Sequence, residues 1–356
     1  MLDAIFVTMQ VILALLAVYQ FTFSLFGLIK KKKKKHYPAT KSFAVLVAAH
    51  NEEQVIGALM ENLKQLDYPE DLYDVFVICD NCTDGTAQIV RQHVVMFDAD
   101  NLVDRNFLLE MNDDLCNGSR VIQGYIDTKN PEDSWITAAY GVSYWYINRL
   151  WQLSRHNLNM ANFLGGTGMC FETNLLKEIG WGATSLVEDL EFTMRSVQRN
   201  VYPVFNYDAK VFDEKPLTFK ASARQRLRWM QGHFTVARRY FFPLLWQSIK
   251  ERSLVKFDLA VYGANVGPHI ANIYGYFPLW VGFVAIGLNI LTFLLSMALE
   301  KVTFAKVYLY LILFPIYLLS WYPITFYAFF TQNNKQWSHT QHTRVVRLDE
   351  VQSKQG

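Results

Sequence analysis

This 356-residue chain predicts an α/β domain on a Rossmann-like mixed sheet, flanked by transmembrane and interfacial helices. Three observations carry the prediction. Short continuous apolar runs alternate with helical segments, as strands buried on both faces do. Several of those runs end abruptly in acidic residues, the place where open α/β sheets bind ligands. Long apolar stretches with almost no charge stand at both ends of the chain.

The ends come first. Ala4 to Ile29 is uncharged and long enough to span a bilayer, and Met1-Leu2-Asp3 lacks the basic start of a cleaved signal peptide. Lys30 to Lys35 follow directly; the positive-inside rule puts them in the cytosol and the amino terminus outside. Near the carboxyl end, Gly275 to Leu299 and Val307 to Phe330 read as two spans, and Leu259 to Asn272 as an interfacial or re-entrant piece. Two spans keep the basic tail in the cytosol and place the Glu300-Lys301 connection on the far side. The implied division is an anchor and basic block over 1–35, an α/β domain over 36–220, amphipathic interfacial helices over 221–258, membrane helices over 259–332 and a tail over 333–356. The net charge of only +2 gives no support to nucleic-acid binding. Cys79 and Cys82 form a C-x-x-C inside a strand with no second pair, which does not make a zinc site; four thiols suit a reducing, cytosolic domain.

The α/β region begins with the strand Phe43 to Ala49. His50-Asn51-Glu52-Glu53 turns it into a helix reaching Leu66, with Asn51 as its N-cap, and Tyr68-Pro69-Glu70 breaks that helix. Tyr73 to Cys79 is a second strand closing on Asp80. His93 to Phe97 is a third, closing on Asp98-Ala99-Asp100. No G-x-G-x-x-G is present, so a nicotinamide or flavin site has no support. Two oxygen ligands spaced i, i+2 suit Mg2+ or Mn2+ completed by a diphosphate, although a polar turn after a core strand would read the same. A helix over 105–115 and a strand over 120–126 come next, then an aromatic-rich helix over 134–153. The glycine-dense Gly165-Gly166-Thr167-Gly168 indicates close backbone approach by a ligand or a strand. Glu188-Asp189 opens a helix to Arg199, either as functional acids or as simple dipole partners. Ala221 to Phe242 mixes Arg224, Arg226 and Arg228 with Trp229, a pattern that serves phosphate contacts or a headgroup-facing helix.

An acid after the second strand, D-x-D, E-D and then Q-x-x-R-W occur in that order between membrane segments. The set resembles the processive family 2 glycosyltransferases, the membrane group of cellulose, hyaluronan and poly-N-acetylglucosamine synthases. The resemblance covers about Lys41 to Phe242. It implies a cytosolic GT-A domain, inverting metal-dependent transfer from a UDP-sugar to a growing glycan, export through the membrane, and room for a membrane accessory subunit. It implies a multi-pass protein of a cell membrane, bacterial in kind. Asp80 matches the nucleobase-contacting acid, with Glu52 and Asp98 beside it on the nucleotide side. Asp98 and Asp100 match the metal-binding D-x-D, with Asp100 as the direct ligand. Asp189, after Glu188, matches the catalytic base; Val187 stands where that motif often has Thr. Gln225, Arg228 and Trp229 match the acceptor and diphosphate end, and Gly166, Thr167 and Gly168 the acceptor-side loop.

Two other classes stay open: transfer to a lipid acceptor, such as a polyprenyl phosphate or diacylglycerol, without polymerisation, and an inactive membrane scaffold. One further irregularity stands between the second and third strands. Asp80 to Gln92 is short for a parallel crossover, and the lysine-bearing donor-site segment usual at this place in the family does not occur in this chain. Gln92 and His93 are therefore expected not to be natural neighbours.

Overall fold

The computed structural model describes residues 2–30, 35–79, 97–263, 279–334 and 344–353. Asp80, Cys82, the Gln92–His93 junction and most of the expected third strand lie outside the described residues.

Helix α1 (Leu2–Ser24) leads into β1 (Phe43–Ala49), α2 (Ile56–Leu63), β2 (Tyr73–Cys79) and β3 (Phe97–Asp98). These strands form a parallel sheet in the order β2-β1-β3, so their carboxyl ends share one edge. Asn51 does not cap α2. It adopts a left-handed conformation (φ 55°), which asparagine tolerates. The amides of Val55 and Ile56 then bond the Glu52 carbonyl, and this added turn delays the helix to Ile56.

The second sheet contains β4 (Leu102–Val103), β5 (Val121–Thr128), β6 (Met169–Phe171) and β7 (Val204–Asp213), in the order β4-β7-β5-β6. β5 is buried along its whole length and runs parallel to β7. Their register shifts after Gly124, where β7 bulges: Gly124 pairs with Asn206 and Tyr125 with Lys210. Asn206 Oδ1 accepts the amides of Asp208 and Ala209, which satisfies the bulge internally. Helix α3 (Phe107–Cys116) packs on this sheet, and Phe97, Phe107, Met111, Val45 and Val47 join the two sheets in one core.

Helix α4 (Trp135–Tyr146) starts at a capping box between Ser134 and Thr137 and passes through a π-turn (Ile147–Gln152) into α5 (Leu153–Asn157). Then come α6 (Thr173–Ile179), α7 (Glu188–Gln198), the 32-residue α8 (Phe219–Lys250) and α9 (Leu254–Gly263). The carboxyl-terminal part holds α10 (Leu279–Leu299), α11 (Ala305–Tyr310), α12 (Phe314–Thr331) and α13 (Leu348–Ser353). Among the described residues, Ala305–Thr331 is the one helical stretch long and apolar enough to cross a membrane.

The Glu300 connection departs from expectation. It lies against the catalytic domain: Glu300 accepts hydrogen bonds from the hydroxyls of Tyr125 (2.8 Å) and Tyr207 (2.7 Å) and stands 3.5 Å from Arg149. Tyr207 lies in the β7 bulge, between Asn206 and Lys210. Counting spans from hydropathy missed this, because the acid's partners are distant in sequence.

Candidate active site

The carboxyl ends of β3, β5 and β7 meet in one polar cluster. Asp98 ends β3 with its side chain exposed, and its amide donates to Thr167 Oγ1 (3.4 Å). Asp100 is buried at 2% exposure. Its Oδ2 accepts the amide of Glu214 (3.0 Å) and its Oδ1 accepts Asn101 Nδ2 (3.3 Å). Its carbonyl accepts Lys129 Nζ (2.5 Å), which also pairs with Glu214 Oε2 at 3.0 Å, both side chains 3% exposed. Lys215 Nζ bonds Asp213 Oδ2 (2.6 Å) and lies 3.5 Å above the Tyr144 ring. Burial pulls the Lys215 ammonium down, but Asp213, Tyr144 and Asp100 together outweigh it and raise it above the ordinary lysine value.

The glycine loop closes over this cluster. Gln123 on β5 accepts the amide of Gly165 through Oε1 (2.8 Å) and donates through Nε2 to the carbonyl of Thr167 (3.0 Å). Thr167 Oγ1 donates to Asn101 Oδ1. Gly166 and Gly168 have φ of +85° and +62°, and a methyl group on Gly168 would lie 2.7 Å from Val211 Cγ1. Side chains are excluded from both positions, by the backbone conformation and, at Gly168, by the adjoining strand as well.

Asp189 faces that loop. Its Oδ2 would stand 3.5 Å from a methyl group on Gly166, and its Oδ1 accepts the amide of Leu190 (2.7 Å). Burial and the neighbouring Glu188 charge raise its carboxyl to about 7, against the lowering pull of the Leu190 amide and Arg228. Two contacts place the start of α7 against α8. Gly232 abuts Val187, where a methyl group would come within 2.9 Å of the Val187 amide. Glu191 accepts the amides of Thr184 and Ser185 (2.8 Å each) and pairs with Arg239 of α8 (2.8 Å).

Of the residues singled out in the sequence, Asp98, Asp100, Thr167, Gly166, Glu188, Asp189 and Arg228 gather around this space. Gln225 and Trp229 lie on the α8 face toward α4: Gln225 Oε1 accepts the Tyr140 hydroxyl (2.9 Å), and Trp229 meets the Tyr140 ring edge-on. Gly168 packs between β5 and β7. Glu52 is buried just past β1. Sequence reasoning passed over Asn101, Lys129, Asp213, Glu214, Lys215 and Gly232. Thr128-Lys129-Asn130 and Asp213-Glu214-Lys215 carry the signal that singled out the D-x-D, an apolar strand ending in charge, and that signal would have found Lys129, Asp213, Glu214 and Lys215.

Asp98 and Asp100 are hard oxygen donors of the kind Mg2+ or Mn2+ takes. Among the described residues no group of three His, Cys, Asp or Glu side chains converges on one point. A cation held by these two acids would take its remaining ligands from elsewhere, such as the oxygens of a bound diphosphate.

Residues 93–331 match the family described as glycosyl transferase family group 2. Probable glycosyltransferase YdaM of Bacillus subtilis is 23% identical over 351 residues, covering 81% of this chain and 82% of that protein. A beta-monoglucosyldiacylglycerol synthase of Nostoc is 25% identical over 54% of this chain and 48% of its own length. The poly-beta-1,6-N-acetyl-D-glucosamine synthase of Staphylococcus epidermidis is 21% identical over 60% of this chain and 59% of its own length. Among solved structures, a mannosyltransferase of Pyrobaculum calidifontis in complex with GDP-Man and Mn2+ superposes with a TM-score of 0.53. It covers 92% of this chain and 99% of its own, at 14% identity, a likeness of the mixed α/β GT-A-like fold.

Proposed function

The chain belongs to glycosyl transferase family group 2, and from that premise we propose that it transfers a sugar from a UDP-sugar to an acceptor hydroxyl with inversion at the sugar. One observation carries the reading: Asp189 stands apart from the Asp98–Asp100 pair, across the glycine loop. Inversion by direct displacement needs one base that is separate from the acids on the leaving-group side. Asp189 takes the proton of the acceptor hydroxyl while that oxygen attacks the anomeric carbon. The bond from that carbon to the diphosphate breaks, and UDP leaves with the electron pair. A carboxyl near pH 7 is matched to this task.

Arg228 stabilises the charge that develops on the diphosphate. Asp98 and Asp100 would hold Mg2+ or Mn2+, which supplies further positive charge to the departing group. Asp80 and Glu52 belong to the nucleotide end, and Gln225, Trp229 and the Gly166-Thr167-Gly168 loop to the acceptor end. The catalytic domain works from the cytosolic side of a cell membrane.

For the acceptor, the order of motifs supports a growing glycan that is then exported. A lipid acceptor is favoured by a different observation. Phe242, Trp246 and Ile249, on the same helix as Arg228, are exposed at 66–73% and would set that helix among lipids. The deciding experiment screens UDP-sugars with purified protein for metal-dependent UDP release, then sizes the labelled product after lipid extraction. Label left with the aqueous polymer supports the glycan, and label in the organic phase as a single glycolipid supports the lipid. No UDP release with any sugar, together with no UDP binding in the presence of Mn2+, would overturn both in favour of an inactive scaffold.

A further inference from the structure

Residues 305–331 have the length and apolarity of a membrane span, yet they touch the α/β domain or helix α8 at their start, middle and end. At the start, the Lys306 amide donates to Glu132 Oε1 (3.1 Å), and Phe304 stacks on Trp145. Midway, the Tyr317 ring packs on Tyr140, while the Tyr317 carbonyl and Ser320 Oγ accept from Arg226 Nη1 (3.4 and 2.8 Å). At the end, the Thr331 carbonyl and hydroxyl accept from Gln231 Nε2 (3.1 and 2.9 Å), next to the Gly232 that abuts Val187.

Both flanks lie on the same body. Before the segment, Glu300 bonds Tyr125 and Tyr207. After it, the Arg344 amide donates to Glu214 (3.1 Å), and Val346, Leu348 and Val351 pack on Leu102 and Phe212.

The opposite face is apolar and uncovered. Leu309, Ile312, Ile316, Leu319, Phe326 and Phe330 are 52–80% exposed, spaced by three, four or seven residues as one helical stripe is. Phe242, Trp246 and Ile249 of α8 and further apolar side chains of α1 and α10 are exposed as well. An uncovered apolar stripe of this length marks an interaction surface. Exposed Lys301 and Lys306 at one end of the stripe, and Lys250 and Arg252 at the end of α8, suit anionic headgroups.

To cross a bilayer, this segment would need its middle turns in a hydrocarbon layer about 30 Å thick. Fully buried Arg226, which bonds the Tyr317 turn, and with it the Gln225–Tyr140 contact beside the site, would have to follow. We infer that Ala305–Thr331 lies along one leaflet and does not cross it, with the Leu309–Phe330 stripe in the lipid and both flanks on the side of the catalytic domain. The partner is a lipid surface, and the inference does not depend on the reaction proposed above.

The test uses the full chain in vesicles of phosphatidylethanolamine and phosphatidylglycerol. Nitroxides are placed singly through Leu309→Cys, Ile316→Cys, Leu319→Cys and Phe330→Cys, and their depths are read from oxygen and nickel accessibility. All four should lie at one shallow depth, about 5–10 Å below the headgroups. A profile that deepens to the bilayer centre at Ile316 and Leu319 and rises at both ends would overturn the inference. In a second arm, Lys301→Cys and Asn334→Cys should react with an impermeant maleimide from the same side as the exposed catalytic-domain position in Lys64→Cys. Reaction of Lys301→Cys and Asn334→Cys from opposite sides would overturn it, as would failure of the wild-type chain to float with vesicles, or a stripe shielded by a second copy without lipid. Sugar transfer measured on the same vesicles separates the two readings: lost transfer with unchanged depths counts against the reaction alone.

Discussion

Two carboxylates on opposite sides of the candidate site show how differently one fold can treat the same group. Asp100 is locked. It is almost wholly buried, its oxygens accept from the Glu214 amide and the Asn101 side chain, and Lys129 ties its carbonyl to Glu214. Asp189 accepts the amide of the next residue, and burial together with the Glu188 charge beside it makes ionisation costly. The first arrangement holds a charge at a fixed point, as binding requires. The second leaves a carboxylate able to take up a proton near neutral pH, as a base requires.

Breaking the locked side should give the largest effect. Lys129→Met leaves the Glu214 carboxylate buried without its partner ammonium, and chemical denaturation should show a loss of about 3–5 kcal/mol. A loss below 1 kcal/mol would mean that the cluster is far better hydrated than its burial suggests. On the reactive side, Asp189→Asn should lower turnover by a factor of about 10² or more and leave UDP affinity within about twofold. Turnover at the wild-type rate would assign the base elsewhere.

Asp100→Ala should cost about 1–3 kcal/mol of stability, because the buried Glu214 amide loses its acceptor. Exposed Asp98→Ala should cost much less. Calorimetry should also find Mn2+-dependent UDP binding weakened more by Asp100→Ala than by Asp98→Ala; equal affinity in Asp100→Ala and wild type would remove Asp100 from the donor site.

The mildest perturbation is pH. Wild-type transfer should fall as pH drops below about 7, and Asp189→Asn should lose that limb. The stability effect has the opposite sense. The native state keeps the Asp189 proton up to about pH 7, whereas the unfolded chain releases it near the ordinary aspartate value, so this residue's contribution declines as pH rises between those two values. Thermal melting at pH 8 should therefore find Asp189→Asn no less stable than wild type.

Much of the sheet was legible in order. The runs Phe43–Ala49 and Tyr73–Cys79 form strands over the ranges expected, although they do not bury both faces: Val45, Val47 and Val75 lie in the core, whereas Phe76 and Ile78 are exposed. Asp98, Asp100 and Asp189 were legible as acids that end a strand or open a helix. The Asn51 cap was not, since a turn through Glu52 competes with it for the same backbone groups. Lys129 and Glu214 each stand where an apolar strand ends in charge, as the Asp98–Asp100 turn does, but nothing local shows that they pair, since each completes the other from a different strand.

What the sequence by itself determined is what local pattern encodes: apolar runs, helix periodicity, glycines where side chains cannot fit, and charge at strand ends. Only the tertiary structure decided which distant charges meet. It brought Lys129 to Glu214, and Gly232 to Val187 beside Asp189. It also decided the setting of the long apolar segment 305–331. Hydropathy measures how much a helix avoids water and is blind to what covers its other face. Here Arg226, Gln231 and Tyr140 cover one face of 305–331, and contacts across such sequence distances arise only when the chain is folded.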